Sequence, residues 1–200
     1  INYATPTVSA AGADQEQCNL GDFTLAANTP TSGSGLWTIE GAANGATITL
    51  ATDPGTTVTG LTAGNSVVLR WTISNGVCAD SWDEVILTNS ASPTVADAGV
   101  DLSQCATSTF TMAANTPVVG TGLWTIESGP GSITNATSPT TTITGVTAGD
   151  GTTPTVVRWT ISNGSCADSF EDISLINYAT PTVSAAGADQ EQCNLGDFTL

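Results

Sequence analysis

Lysine and histidine are missing from this 200-residue chain, and its only basic residues are Arg70 and Arg158. Without histidine there is no Ser-His-Asp or Cys-His arrangement for nucleophilic catalysis and no imidazole for a metal site. Without lysine there is no Lys–Asn isopeptide cross-link and no phosphate-binding lysine, so the Gly-rich stretches read as turns. Eighteen carboxylates face the two arginines, for a formal charge of −16. Such a surface repels nucleic acid and anionic lipid, which argues against either as a partner. No apolar run approaches the roughly 20 residues that a membrane-spanning helix needs, so no membrane insertion is expected. Sustained helical periodicity is absent as well.

What is present is a set of short runs in which Thr, Val, Ile and Trp alternate with small residues, separated by Gly, Pro, Asn and Ser. That pattern predicts an all-β chain of short strands and tight turns. Its organising stretch is Arg70-Trp71-Thr72-Ile73-Ser74-Asn75-Gly76-Val77-Cys78, which returns as Arg158-Trp159-Thr160-Ile161-Ser162-Asn163-Gly164-Ser165-Cys166. Each copy reads as a strand burying Trp and Ile, a turn at Asn-Gly, and a cysteine just past it.

Residues Ile1–Leu25 reappear unchanged as Ile176–Leu200, an offset of 175. A looser repeat lies inside that unit: Phe23 to Pro30 matches Phe110 to Pro117 at an offset of 87, and the Trp-Thr-Ile-Ser stretch repeats at 88. Repetition at this period predicts an array of small domains. The boundaries expected are 1–4 for the end of a preceding unit, 5–91 and 92–178 for two domains, and 179–200 for the start of a third. Because the first residues already belong to a repeat, the chain is expected to be a piece of a longer secreted protein.

The cysteines follow the repeat. Cys18 and Cys78 fall in the first domain, Cys105 and Cys166 in the second, and Cys193 is the counterpart of Cys18 in the third, its partner beyond Leu200. This predicts one disulfide inside each domain, closing a loop of about 60 residues for roughly 4 kcal/mol. Disulfides imply an oxidising, extracellular setting.

Within the first domain the predicted strands are 5–10, 22–27, 36–40, 46–50, 56–60, 67–74 and 82–89. Seven short strands with a Trp on the third and another on the sixth predict an immunoglobulin-like sandwich. Alternation sends Leu69, Trp71 and Ile73 inward and Arg70 outward. Folding the hairpin sets Arg70 opposite Glu84 and brings Glu40 to its other side, giving ion-pair rows Glu40–Arg70–Glu84 and Glu127–Arg158–Asp172. Ligand capture is one role for these arginines; the reading adopted is sheet pinning, at about 0.2–1 kcal/mol per pair. Short proline-bearing joints connect the domains, and Tyr3 and Tyr178 are expected to pack at one kind of joint where Ser90 cannot. At about 3.3 Å per strand residue, each 175-residue unit would advance on the order of 80 Å.

The combination of Pro-Thr-Val (6–8, 93–95), Gly-Leu-Trp-Thr-Ile (35–39, 122–126), Thr-Gly-Leu-Thr-Ala-Gly (59–64) and Trp-Thr-Ile-Ser-Asn-Gly-x-Cys resembles the PKD-like, immunoglobulin-like repeats of giant surface adhesins of gliding Bacteroidota. The likeness is greatest to gliding-motility adhesins exported by type 9 secretion, and it covers the whole chain. It implies tandem sandwiches standing end to end in a cell-surface filament that grips a substratum.

Paired carboxylates at Asp83-Glu84 and Glu171-Asp172 face opposite ways on a strand and make poor acid–base pairs, so no catalytic residue is assigned. No cofactor is expected. Calcium is the alternative: Asp80, Asp83 and Glu84, repeated as Asp168, Glu171 and Asp172, gather near a domain end with Asp14 and Glu16, although no Asp-x-Asp-x-Asp loop is present. The expected function is a structural stalk whose partners are its own neighbouring repeats. The rivals are a multivalent glycan- or protein-binding array and an accessory region of a secreted hydrolase.

Overall fold

The computed structural model describes residues 2–189, 191 and 193; of the segments expected at 1–4 and 179–200, residues 1, 190, 192 and 194–200 lie outside the described residues. The described chain is all-β and folds as two sandwiches in series. The first contains β1 (Gln15–Cys18), β2 (Phe23–Thr24), β3 (Ser34–Glu40), β4 (Thr47–Ile48), β5 (Thr57–Thr59), β6 (Asn65–Ser74) and β7 (Ser81–Ser90). The second contains β8 (Leu102–Cys105), β9 (Phe110–Thr111), β10 (Thr121–Ser128), β11 (Ser132–Ile133), β12 (Thr142–Thr144), β13 (Ala148–Gly149), β14 (Thr155–Ser162) and β15 (Ser169–Tyr178).

In the first sandwich a sheet of order β1-β7-β6-β3 faces a smaller one of order β2-β5-β4. In the second, β10-β14-β15 carries β13 and β8 as parallel partners of β15 and faces β11-β12-β9. Strand β13 lies next to the place where the repeat offset grows from 85 to 88, at Asp150-Gly151-Thr152. The extra residues form a turn in which the Asp150 carboxylate accepts from both the amide and the hydroxyl of Thr152.

Strict alternation along β6 produces the core. Val67, Leu69, Trp71 and Ile73 are all buried, with Val68, Arg70 and Thr72 turned outward between them. They meet Phe23, Leu25, Val58 and Leu61 of the small sheet and Trp37, Val85 and Leu87 of their own. Each such aliphatic or aromatic side chain contributes about 1.5–3 kcal/mol by leaving water. Trp37 and Trp71 are register partners, their rings tilted by 42° with centroids 5.2 Å apart, and Trp124 and Trp159 repeat the pair at the same values. The glycine of Gly-Leu-Trp serves this packing: a Cβ on Gly35 would fall inside the Trp71 ring, and one on Gly122 inside that of Trp159.

The strand expected at 5–10 does not form. Pro6 has no amide to donate, and the segment is tied instead by side chains: the Ser9 amide donates to Ser81 Oγ (2.9 Å) and the Ala11 amide to the Asp83 carboxylate (2.8 Å). The second sandwich repeats this with Ala96 on Ser169 and Ala98 on Glu171. The ladder begins later, at β1, which runs parallel to β7 with Cys18 opposite Ser90. That strand was absent from the expected set, and it decides where the cysteines go.

Candidate functional site: the joint between the sandwiches

Cys18 is bonded to Cys166, 148 residues away in the next sandwich, with their Cα atoms 4.9 Å apart. The expected pairs Cys18–Cys78 and Cys105–Cys166 do not form; Cys78, Cys105 and Cys193 are free thiols. The reason is the direction of β1. Cys18 stands beside Ser90 at the end of β7, whereas Cys78 precedes Ser81 at its start. A ten-residue strand, at ~3.4 Å per residue, holds them roughly 30 Å apart. Disulfide formation needs Cα atoms within about 7 Å. The hairpin turn of the second sandwich, by contrast, is seated on the end of the first.

That seat is built from short-range polar contacts. The Asn163 side-chain amide donates to the Ala91 carbonyl (2.7 Å), and Cys166 lies against the carbonyls of Ser90 and Ala91. One Glu16 oxygen accepts from the Ser90 hydroxyl (2.6 Å) and from the Ser165 amide (2.8 Å), bridging the two sandwiches. The hydrogen bond from Ser90, then that from the Ser165 amide, holds the Glu16 carboxyl below the usual glutamate range. Gly164, at φ +53°, lies so close that a Cβ would run into Glu16 and Ser90. At the end of β1, Asn19 takes a positive φ of 52°, donates its amide to the Ser90 carbonyl (2.9 Å) and bonds Ser92 Oγ through its side chain (2.5 Å).

The same arrangement is present twice more in half. The Asn75 side chain donates to the Ala4 carbonyl (2.8 Å), and the Cys78 thiol lies against the carbonyls of Tyr3 and Ala4. Tyr3, where the other joint has Ser90, covers Gly76 with its ring. At the far end of the second sandwich, Ala106 takes φ 54° and donates to the Tyr178 carbonyl (2.8 Å), with the Cys105 thiol beside the Ala179 carbonyl.

On the outer face of the large sheet, Arg70 sits between Glu84, its register partner, and Glu40 (3.3 Å). Thr38 stands directly opposite Arg70 on β3, so Glu40 reaches it diagonally and is held there by the Thr38 hydroxyl (2.8 Å). Arg158 repeats the row with Asp172 (2.7 Å) and Glu127 (3.6 Å). The hydrogen bond from Arg158 holds the Asp172 carboxyl below its ordinary value. Each guanidinium also stacks on an exposed ring, Arg70 on Trp82 and Arg158 on Phe170, a contact the alternation pattern contained and the sequence reading missed.

The carboxylates behind the calcium expectation are spread over separate tasks. Asp83 and Glu171 accept from the Ala11 and Ala98 amides, Asp14 from Ile86 (2.9 Å), Glu84 and Asp172 pair with arginine, and Glu16 is in the joint. Asp80 and Asp168 join none of these contacts. Among the described residues no group of three or more His, Cys, Asp or Glu side chains is gathered for a metal ion. Sequence reasoning placed Glu16 with the acidic cluster and read Asn163 as a turn residue, with no part for Asn163 or Ser165 in a contact between sandwiches. The signal for the joint was the alternation of Tyr3, Ser90 and Tyr178 at equivalent positions.

No protein-family model matches the chain, and no curated protein does. Solved structures do. Murine CEACAM1b is similar over 81% of this chain and 95% of its own, at 11% identity and a TM-score of 0.57. Immunoglobulin domains 1–5 of Sidekick-1 are similar over 88% of this chain at 12% identity and a TM-score of 0.56, and the chain spans 40% of that structure. At these identities the likeness is one of fold: two immunoglobulin-like β-sandwiches in tandem.

Proposed function

We propose that this chain is a tension-bearing segment of a cell-surface adhesin stalk, outside the cell, of the kind its motifs resemble in gliding bacteria. The observation that carries this reading is the joint. A ligand-binding module needs a shaped recess or a convergent set of polar groups, whereas here the most constrained chemistry ties one sandwich to the next. A disulfide is retained in an oxidising compartment, and a surface of net charge −16 resists side-by-side collapse. Force entering at Cys18 crosses directly to Cys166 and bypasses the backbone between them.

A second reading, a multivalent binding array, is favoured by the exposed face on which Leu36, Trp82 and Ile86 surround the Arg70 row, repeated in part by Leu123 and Phe170 around Arg158. Beads carrying one or several tandem copies, presented to glycan arrays and to abraded glass, separate the two. The stalk reading expects no retention at any copy number. Retention that strengthens with copy number and is lost in Trp82→Ala, Phe170→Ala would establish the array instead.

A further inference from the structure

We infer that Cys78 and Cys105 are half-joints that bond covalently to the neighbouring sandwiches of the array, making an overlapping ladder of disulfides in which each sandwich is stapled to the one before and the one after. The inference rests on the reading of the chain as an array segment, for which Ile176–Leu200 repeating Ile1–Leu25 is the internal evidence.

Three observations support it. The bonded joint fixes the rule: the cysteine ending the first strand of one sandwich joins the turn cysteine of the next. Cys78 is presented as Cys166 is, its thiol against the carbonyls of Tyr3 and Ala4 where Cys166 lies against Ser90 and Ala91, with Asn75 and Asn163 gripping equivalent carbonyls. Cys105 ends β8 as Cys18 ends β1, each followed by a residue at positive φ that bonds the end of the last strand of its sandwich. Neither thiol has a partner within its own sandwich, because parallel pairing puts Cys105 beside Tyr178 at one end of β15 and Cys166 before Ser169 at the other.

The chemistry is thiol–disulfide exchange with a disulfide-bonded donor. The Cys105 thiolate attacks the donor disulfide and expels one donor thiolate. The turn cysteine of the next sandwich then attacks the Cys105 sulfur of the mixed disulfide and expels the second. Two protons leave the protein thiols, one S–S bond forms, and the donor is reduced by two electrons.

The consequence is mechanical. With intradomain pairs, the segments 78–105 and 166–193 of each unit would lie outside every disulfide loop. In the ladder, the loop from Cys18 to Cys166 spans the first of these, and a loop from Cys105 into the third sandwich spans the second. Every peptide bond of the array is then bypassed by at least one disulfide. The shortest covalent path through a 175-residue unit contains only the residues from 166 to 193. Fully stretched, that path is about 90 Å, against about 180 Å for intradomain pairing and about 600 Å for a reduced chain. The ladder length is close to that of the folded unit, so the fibre barely extends even when its sandwiches unfold.

The test completes the third sandwich by appending residues 26–91 of this sequence after Leu200, followed by oxidation with glutathione and peptide mapping without reduction. The expected bonds are Cys18–Cys166 and Cys105 with the appended counterpart of Cys78, leaving Cys78 and Cys193 alkylated. A free Cys105, or Cys105 joined to Cys166, Cys78 or Cys193, overturns the ladder. Should the appended sandwich fold poorly, end-to-end pulling of an oxidised array of several whole units decides independently. About 90 Å of stretched length per unit is expected, and about 180 Å or more refutes it. A free Cys105 with Cys18–Cys166 formed removes the ladder and leaves the stalk reading standing, Cys105 joined to Cys166 removes both, and bead retention that grows with copy number removes the stalk reading while the ladder stands.

Discussion

Glu16 and Gly164 show how single residues set the joint. Glu16 holds both Ser90 and Ser165 through one oxygen and holds them more strongly as a carboxylate than as the neutral acid, and those bonds lower its folded-state pKa. A depressed pKa gives stabilisation that is complete above the ordinary glutamate range and is lost as the pH falls through the lowered value. The melting temperature of the chain is therefore expected to exceed that of Glu16→Gln at neutral pH, with the gap closing in acid; a gap unchanged at low pH would remove Glu16 from the joint. Gly164→Ala places a methyl against Glu16 and Ser90 at a positive φ. It is expected to raise the fraction of Cys18 and Cys166 alkylated after refolding in a glutathione buffer severalfold. Cys18→Ser and Cys78→Ser separate cross-joint from intradomain pairing in a single melt. Cys18→Ser is expected to destabilise by up to roughly 5 kcal/mol and Cys78→Ser to leave the transition in place, whereas intradomain pairing would make the two variants equal.

At the level of elements, the paired strands β3 and β6 hold the Trp37–Trp71 pair on one face and the Glu40–Arg70 contact on the other. Alternation made the inward set Leu69, Trp71 and Ile73 and the outward Arg70 readable, because a buried sheet face fixes register to a single residue. The role of Gly35 was not readable, since it depends on which ring lies across the strand. Gly35→Ala is expected to displace Trp71 and cost about 1–3 kcal/mol by overpacking, measured by urea unfolding; Gly122→Ala should match it through Trp159. Arg70→Ala should stay within about 1 kcal/mol, because its partners are half exposed. The first strand was misplaced for a definite reason. The amides of Thr7, Ser9 and Ala10 go to the Ser32 carbonyl, the Ser81 hydroxyl and the Asn28 side chain, so no ladder closes over residues 5–10.

Across the whole molecule, the repeat offsets, the sandwich class and the two Trp-centred cores were all present in the linear text. The joint was not. The joint is built on Glu16 and Ser90, whereas Tyr3 covers Gly76 on the first hairpin and Ser103 stands at the repeat position equivalent to Glu16. Replacing Tyr3 with serine should therefore loosen the seat on the first hairpin, seen as faster alkylation of Cys78, without touching Cys166.

The sequence alone determined what repeats, which residues leave water and which charges face each other across one hairpin, because these follow from periods of two along a strand and of 87 or 88 along the chain. Cysteine pairing was decided only by the tertiary structure. Counting cysteines in a repeat gives their number per domain but not the end of the sandwich at which each one lies. That depends on β1 running parallel to β7, which sends Cys18 away from Cys78 and toward the next domain.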